Sequence, residues 1–135
     1  MTADQIIAAA RSQIHVKFRH QGRIDGQWLD CAGLVAYVAD QIGADYNEWP
    51  GYGRSPHDGL LKTVLDEQPC LERVCTRQPG DILLMRFGRE PQHIAICAGD
   101  TVIHSYEAVG EVVEHTLDAV WAARIVGIYR FKGVA

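Results

Sequence analysis

Cys31 stands in Leu29-Asp30-Cys31-Ala32-Gly33-Leu34-Val35, where a helix is predicted to begin. Asp30 has the chemistry of an N-cap, and Leu34, Tyr37, Val38 and Ile42 keep one apolar face until Gly43 ends the run. A cysteine in the first turn meets unpaired backbone N–H groups and the positive end of the helix dipole, both of which favour thiolate over thiol. Taken alone, a cysteine in an apolar helix is more often a small buried hydrophobe. Two histidines change the balance. Gln92-His93-Ile94-Ala95-Ile96 and Val102-Ile103-His104-Ser105 alternate like strands, with Gly99-Asp100 as the turn between them. Pairing those strands sets the histidines side by side. A thiol on a helix, an imidazole on a facing sheet and a polar group behind that imidazole can perform nucleophilic acyl transfer.

The elements that must carry these residues can be read from period and punctuation. Residues 4–14 are predicted as an amphipathic helix with Ile6, Ile7, Ala10 and Ile14 inward, followed by a polar loop over 15–28. Residues 47–56, with Trp49, Tyr52 and Arg54, read as an irregular loop that can wall one side of a cleft. A short helix is expected over 59–67, with Asp58 as its cap. From residue 81 the period becomes that of strands: 81–85, 93–97, 101–105 and 112–115, then a helical turn near 117–122 and a last strand over 125–130. Helices first and an antiparallel sheet second is an α+β layout. The length of 135 residues suits one domain, residues 1–135, with a core that needs no staples.

Composition narrows the function. A net charge of −4 argues against a nucleic-acid surface, and the Arg19, His20, Arg23 group is too short to alter that. No apolar run reaches the length of a membrane span, and the first residues lack the basic start of a secretory signal, so synthesis in the cytoplasm is expected. Among four cysteines, Cys70 and Cys75 bracket Leu71-Glu72-Arg73-Val74, a spacing outside the usual zinc knuckle; a disulfide between them, or a metal module with Cys97 and a histidine, is a minor alternative. No metal or cofactor is expected. Cys97 continues the His93 strand and is expected to pack as an apolar residue. His15, His20, His57 and His115 lack a comparable spacing to Cys31 and most of them are expected to face solvent, with His20 the exception to watch.

Asp30-Cys31-Ala32-Gly33-Leu34-Val35, Pro79-Gly80-Asp81-Ile82, His93-Ile94-Ala95-Ile96 and Ile103-His104, in this order, resemble the signature of NlpC/P60 cysteine peptidases. Phe18-Arg19-His20-Gln21-Gly22-Arg23 and Gly51-Tyr52-Gly53-Arg54 look like the phage-encoded, tail-associated branch. The resemblance implies a papain-like fold and hydrolysis of an amide in peptidoglycan stem peptides, at the bond between D-γ-glutamyl and a diamino acid. It implies Cys31 as nucleophile, His93 as its acid–base partner and His104 as the group orienting His93, with Asp30 close to the free amino end of the stem peptide. Phe18, Tyr52 and Arg54 are the other candidate substrate contacts. At Phe18 the sequence departs from the pattern: many members carry a tyrosine there whose hydroxyl helps bind the oxyanion. His20 or Gln21 is the candidate replacement donor beside the Cys31 N–H. The implied partners are a stem peptide and phage tail proteins, with delivery to the wall by a virion or lysis. The alternatives are a tail-tip component with weak or lost activity, and an amidase or acyltransferase on the same Cys/His pair.

Overall fold

A computed structural model describes residues 1–19, 23–24, 28–47, 60–88 and 91–135. In chain order the elements are α1 (Ala3–Arg11), β1 (Lys17–Phe18), β2 (Arg23–Ile24), β3 (Trp28–Leu29), α2 (Cys31–Gln41), α3 (Leu60–Asp66), β4 (Leu71–Val74), β5 (Ile82–Arg86), β6 (Pro91–Cys97), β7 (Thr101–Tyr106), β8 (Glu111–Thr116), α4 (Ala119–Ala122) and β9 (Ile125–Phe131). The strands join in the order β2-β3-β1-β8-β7-β6-β5-β9-β4. Their pairing is antiparallel except between β1 and β3. N-terminal helices on an antiparallel sheet are the α+β arrangement the residue pattern predicts.

Both long N-terminal helices owe their bounds to local chemistry. In α1, Thr2 and Gln5 form a reciprocal capping box, and Ile6, Ile7 and Ala10 turn inward. In α2, Asp30 accepts from the Gly33 N–H at 2.6 Å. At its other end Gly43 adopts φ 70°. The Gly43 N–H then reaches the Asp40 carbonyl and the Ala44 N–H the Ala39 carbonyl, the paired bonds that close a helix through a left-handed residue.

The sheet has apolar residues on both faces. Ile82 and Leu84 of β5, Ile94 and Ile96 of β6, Ile103 of β7 and Val112 of β8 pack with Ile6, Leu34, Val35 and Leu61 of the helices. The intervening residues, Leu83, Met85, Ala95, Cys97 and Val102, form a smaller cluster on the other face with Leu117, Trp121, Ile125 and Ile128. Cys97 is thus a buried apolar residue. Fully burying each such aliphatic side chain is worth about 1.5–3 kcal/mol, so the two-sided core is the main support of β5, β6 and β7.

Two expectations need correction. The stretch expected as a polar loop over 15–28 holds β1, β2 and the first residue of β3, strands of two residues each that are held by neighbours rather than by their own pattern: Phe18 pairs with Leu29, and Lys17 with Trp28 and Glu111. β4 lies where no element is expected, paired along its length with β9. It also separates Cys70 from Cys75. At about 3.3 Å per residue an extended strand holds its two flanking Cα atoms about 16 Å apart, far beyond disulfide reach. All four cysteines are free thiols. The Pro79-Gly80-Asp81-Ile82 stretch has a structural role: Gly80 sits at φ 91°, where an added Cβ would lie 3.2 Å from the Ala3 side chain. Asp81 takes two hydrogen bonds from the Arg130 guanidinium, both 2.8 Å.

Candidate active site

Cys31 opens α2, immediately after Asp30. β3 delivers the chain to it, and the β1–β3 pairing puts Phe18 opposite Leu29, two residues before the thiol. Cys31 is half-buried against the helix-side core, and Asp30 is buried. Phe18 is half-buried, its N–H bonded to the Gly110 carbonyl at 2.9 Å. His20, Gln21, Tyr52 and Arg54, together with His57, Asp58 and Trp49, lie outside the described residues.

His93 lies next to a register shift. Met85 pairs with His93, yet the next β5 residue, Arg86, pairs with Pro91, so β6 carries one residue more than β5 at this point. Bulges of this kind re-aim side chains beside functional sites. His93 is 5% exposed and His104 fully buried. They meet directly, His93 Nε2 lying 2.6 Å from His104 Nδ1. Cys31 and His93 sit on α2 and β6, which pack together.

The row continues where the sequence reading stopped. His104 Nε2 is 2.8 Å from His115 Nε2, and His115 Nδ1 is 2.9 Å from the Thr116 carbonyl. His115 is therefore part of a buried-to-surface chain rather than a solvent-facing residue. The signal was an equal spacing: each step is eleven residues. In the β7–β8 hairpin His104 pairs with Val113 and His115 with Val102, so the two rings are diagonal neighbours on one face, within reach of each other.

Aromatic rings enclose the row. Tyr106 stacks on His104 at 5.1 Å and 13°, while Trp121 of α4 lies edge-on to His104 at 5.2 Å and 4.8 Å from His115. Phe87 is 5.1 Å from His93. Arg124 lies over Trp121 and Phe87 at 4.5 and 4.9 Å. Burial, reinforced by His104, Arg124 and His115, pushes the His93 pKa well below its ordinary value. Burial and His115 bring His104 down to about 3. Both rings are therefore neutral near pH 7. Beside His93, an open cavity of about 690 Å³ is lined by Arg86, Phe87, Gly88, Tyr106, Ala123 and Arg124.

Among the described residues no three His, Cys, Asp or Glu side chains converge to hold a metal ion. Nor is any described helix long and apolar enough to cross a membrane.

A helix opened by cysteine, packed on an antiparallel sheet that carries a histidine row, defines a papain-like α+β domain. Residues 15–130 match the NlpC/P60 family, and the chain belongs to it. The chain superposes on a lipoprotein-like NLP/P60 protein of Staphylococcus aureus subsp. aureus Mu50 at TM-score 0.64 and 18% identity, covering 96% of this chain and 41% of that one. It superposes on the NlpC/P60 domain of the peptidoglycan hydrolase SagA at 0.67 and 20%, covering 95% and 97%. A third match is RipD of Mycobacterium tuberculosis, described as a non-catalytic NlpC/P60 protein adapted to peptidoglycan binding, at 0.62 and 18%, covering 96% of each chain. At these identities the likeness is one of fold. Compared with curated protein sequences, the chain matches none significantly.

Proposed function

We propose that the chain is a cysteine peptidase of the bacterial cell wall, with residues 1–135 acting as one catalytic domain. The observation that carries this is the 2.6 Å bond between His93 and His104, which engages one nitrogen of a buried ring and leaves Nδ1 for the thiol of a neighbouring helix start. Cys31 gives its proton to His93 Nδ1 as its sulfur bonds to the substrate carbonyl carbon. His93 returns that proton to the leaving amine as the C–N bond breaks, and water then hydrolyses the thioester, regenerating the thiol. His93 acts here as a neutral base, as its surroundings favour. The Cys31 N–H is one oxyanion donor, and His20 or Gln21 the other, in place of the hydroxyl that Phe18 lacks. Asp30 caps α2 and, with Phe18, Tyr52 and Arg54, borders the substrate.

The substrate is a peptidoglycan stem peptide cut between D-γ-glutamyl and a diamino acid, a choice supported by family membership and the motif resemblance. A tail-associated setting, with the protein made in the cytoplasm and delivered to the wall, rests on residues 18–23 and 51–54 alone. Phe18 favours a second reading, a module that binds peptidoglycan without cutting it, as RipD is described to do. The test is incubation of purified sacculi with the wild type and with Cys31→Ala, products identified by mass spectrometry. Muropeptides ending in free D-glutamate from the wild type alone support the peptidase; acylated amines instead of free acids indicate an acyltransferase. Sacculi retained equally by both proteins without any cleavage support the binding module.

A further inference from the structure

The histidine row ends on a group with no choice of role. A carbonyl oxygen only accepts, so His115 Nδ1, 2.9 Å from the Thr116 carbonyl, carries the hydrogen, and the neutral ring is left with a bare Nε2. His104 Nε2, 2.8 Å from that atom, must then donate, leaving His104 Nδ1 bare. His93 Nε2, 2.6 Å from His104 Nδ1, must donate in turn. The bare nitrogen at the far end is His93 Nδ1. We infer that His115 is a positioning residue which, through His104, holds His93 in the tautomer whose Nδ1 can accept a proton. The role assigned to that lone pair rests on the reading of His93 as the base for Cys31; the tautomer assignment does not.

The row is built to keep this order. A reversed ring anywhere in it would set two N–H groups, or two lone pairs, against each other inside an enclosure of Tyr106, Trp121 and Phe87, where no water replaces the lost hydrogen bond. Each ring is fixed in angle by an aromatic neighbour: His104 by Tyr106, His115 by Trp121 and His93 by Phe87. Thr116, which closes β8, supplies a carbonyl bonded to His115 at the row's outer end.

Proton–nitrogen correlation spectra of the isotope-labelled full chain, taken above neutral pH, report which nitrogen of each ring bears hydrogen. The expected pattern is Nδ1–H for His115 and Nε2–H for His104 and His93. His115→Phe keeps a ring against Trp121 but removes the acceptor, and the expected result is mixed tautomers at His104 and His93. With it kcat on a muropeptide falls about tenfold while KM changes little, the sign of a lost orienting group rather than a lost substrate contact. His115→Gln, whose amide oxygen can accept from His104, should restore both readouts. An Nδ1–H signal for His93 in the wild type, or tautomers unmoved by His115→Phe, overturns the inference. The wild-type spectrum suffices if the phenylalanine variant fails to fold. The spectra need no turnover: expected tautomers in a protein that cuts nothing defeat the peptidase reading and keep the row, whereas cleavage with unmoved tautomers defeats the row alone.

Discussion

His93 and His104 share a hydrogen bond, yet their removal should have unequal effects. His93→Ala deletes the acceptor of the thiol proton and the donor to the leaving amine, and turnover on a muropeptide should fall by at least about 10²-fold. His104→Ala leaves the acceptor in place with its Nε2–H unpaired, so a smaller loss, about tenfold, is expected, accompanied by a lower melting temperature because a fully buried ring has been removed. Equal residual rates in correctly folded variants would contradict these roles. Phe18 supplies a second test. If His20 or Gln21 serves the oxyanion, Gln21→Ala or His20→Ala should lower kcat by about 10²-fold and Phe18→Tyr should gain little. Faster Phe18→Tyr turnover with both alanine variants silent would show that nothing replaced the hydroxyl. Cys31, His93 and His104 stand out as candidates in the sequence because each has a distinctive local pattern, and the structure joins the two histidines. His115 does not: its relation is to His104 across a hairpin, and it shows only when register is known.

At the scale of elements, the start of α2 positions the thiol, so its cap is a lever on both fold and site. Asp30→Ala removes the buried bond to the Gly33 N–H and should cost about 1 kcal/mol in denaturant unfolding, whereas Asp30→Asn, an equally good cap, should cost far less. A loss confined to activity, with unchanged unfolding, would mean that Asp30 contributes through substrate alone. Gly80→Ala forces a side chain into positive φ and against α1 and should destabilise by about 1–3 kcal/mol without touching the histidine row. α2 was readable because cap, apolar face and terminal glycine agree, and β5 to β9 because their residues alternate or are continuously apolar. β1, β2 and β3 are too short to show a period; partners impose them. β4 is an edge strand whose pattern of one buried, two exposed and one half-buried residue does not alternate, and only pairing with β9 defines it. The bulge ahead of His93 likewise belongs to two strands at once.

For the whole molecule, keeping two rings neutral inside the sheet ties stability to pH. The folded pKa values of His93 and His104 lie below the unfolded value of about 6.5, so between those limits the unfolded chain binds more protons than the folded one. Stability is then fully present above about pH 6.5 and is lost as pH falls, at a slope approaching about 1.4 kcal/mol per pH unit for each histidine. Carboxylates start to take up protons only below about pH 5, which leaves the interval from about 6.5 to 5 to the histidines. Against a total stability of about 5–15 kcal/mol, two such slopes should lower the melting temperature visibly within that interval. His104→Phe removes one of the two titrations while keeping a ring between Tyr106 and Trp121, and should roughly halve the slope. Thermal melts across this range decide the matter. A wild-type melting temperature that is flat from about pH 7 to pH 5 would mean that the rings take up protons in the folded state, and a histidine row charged in that way could not hold the neutral base that the proposed chemistry needs.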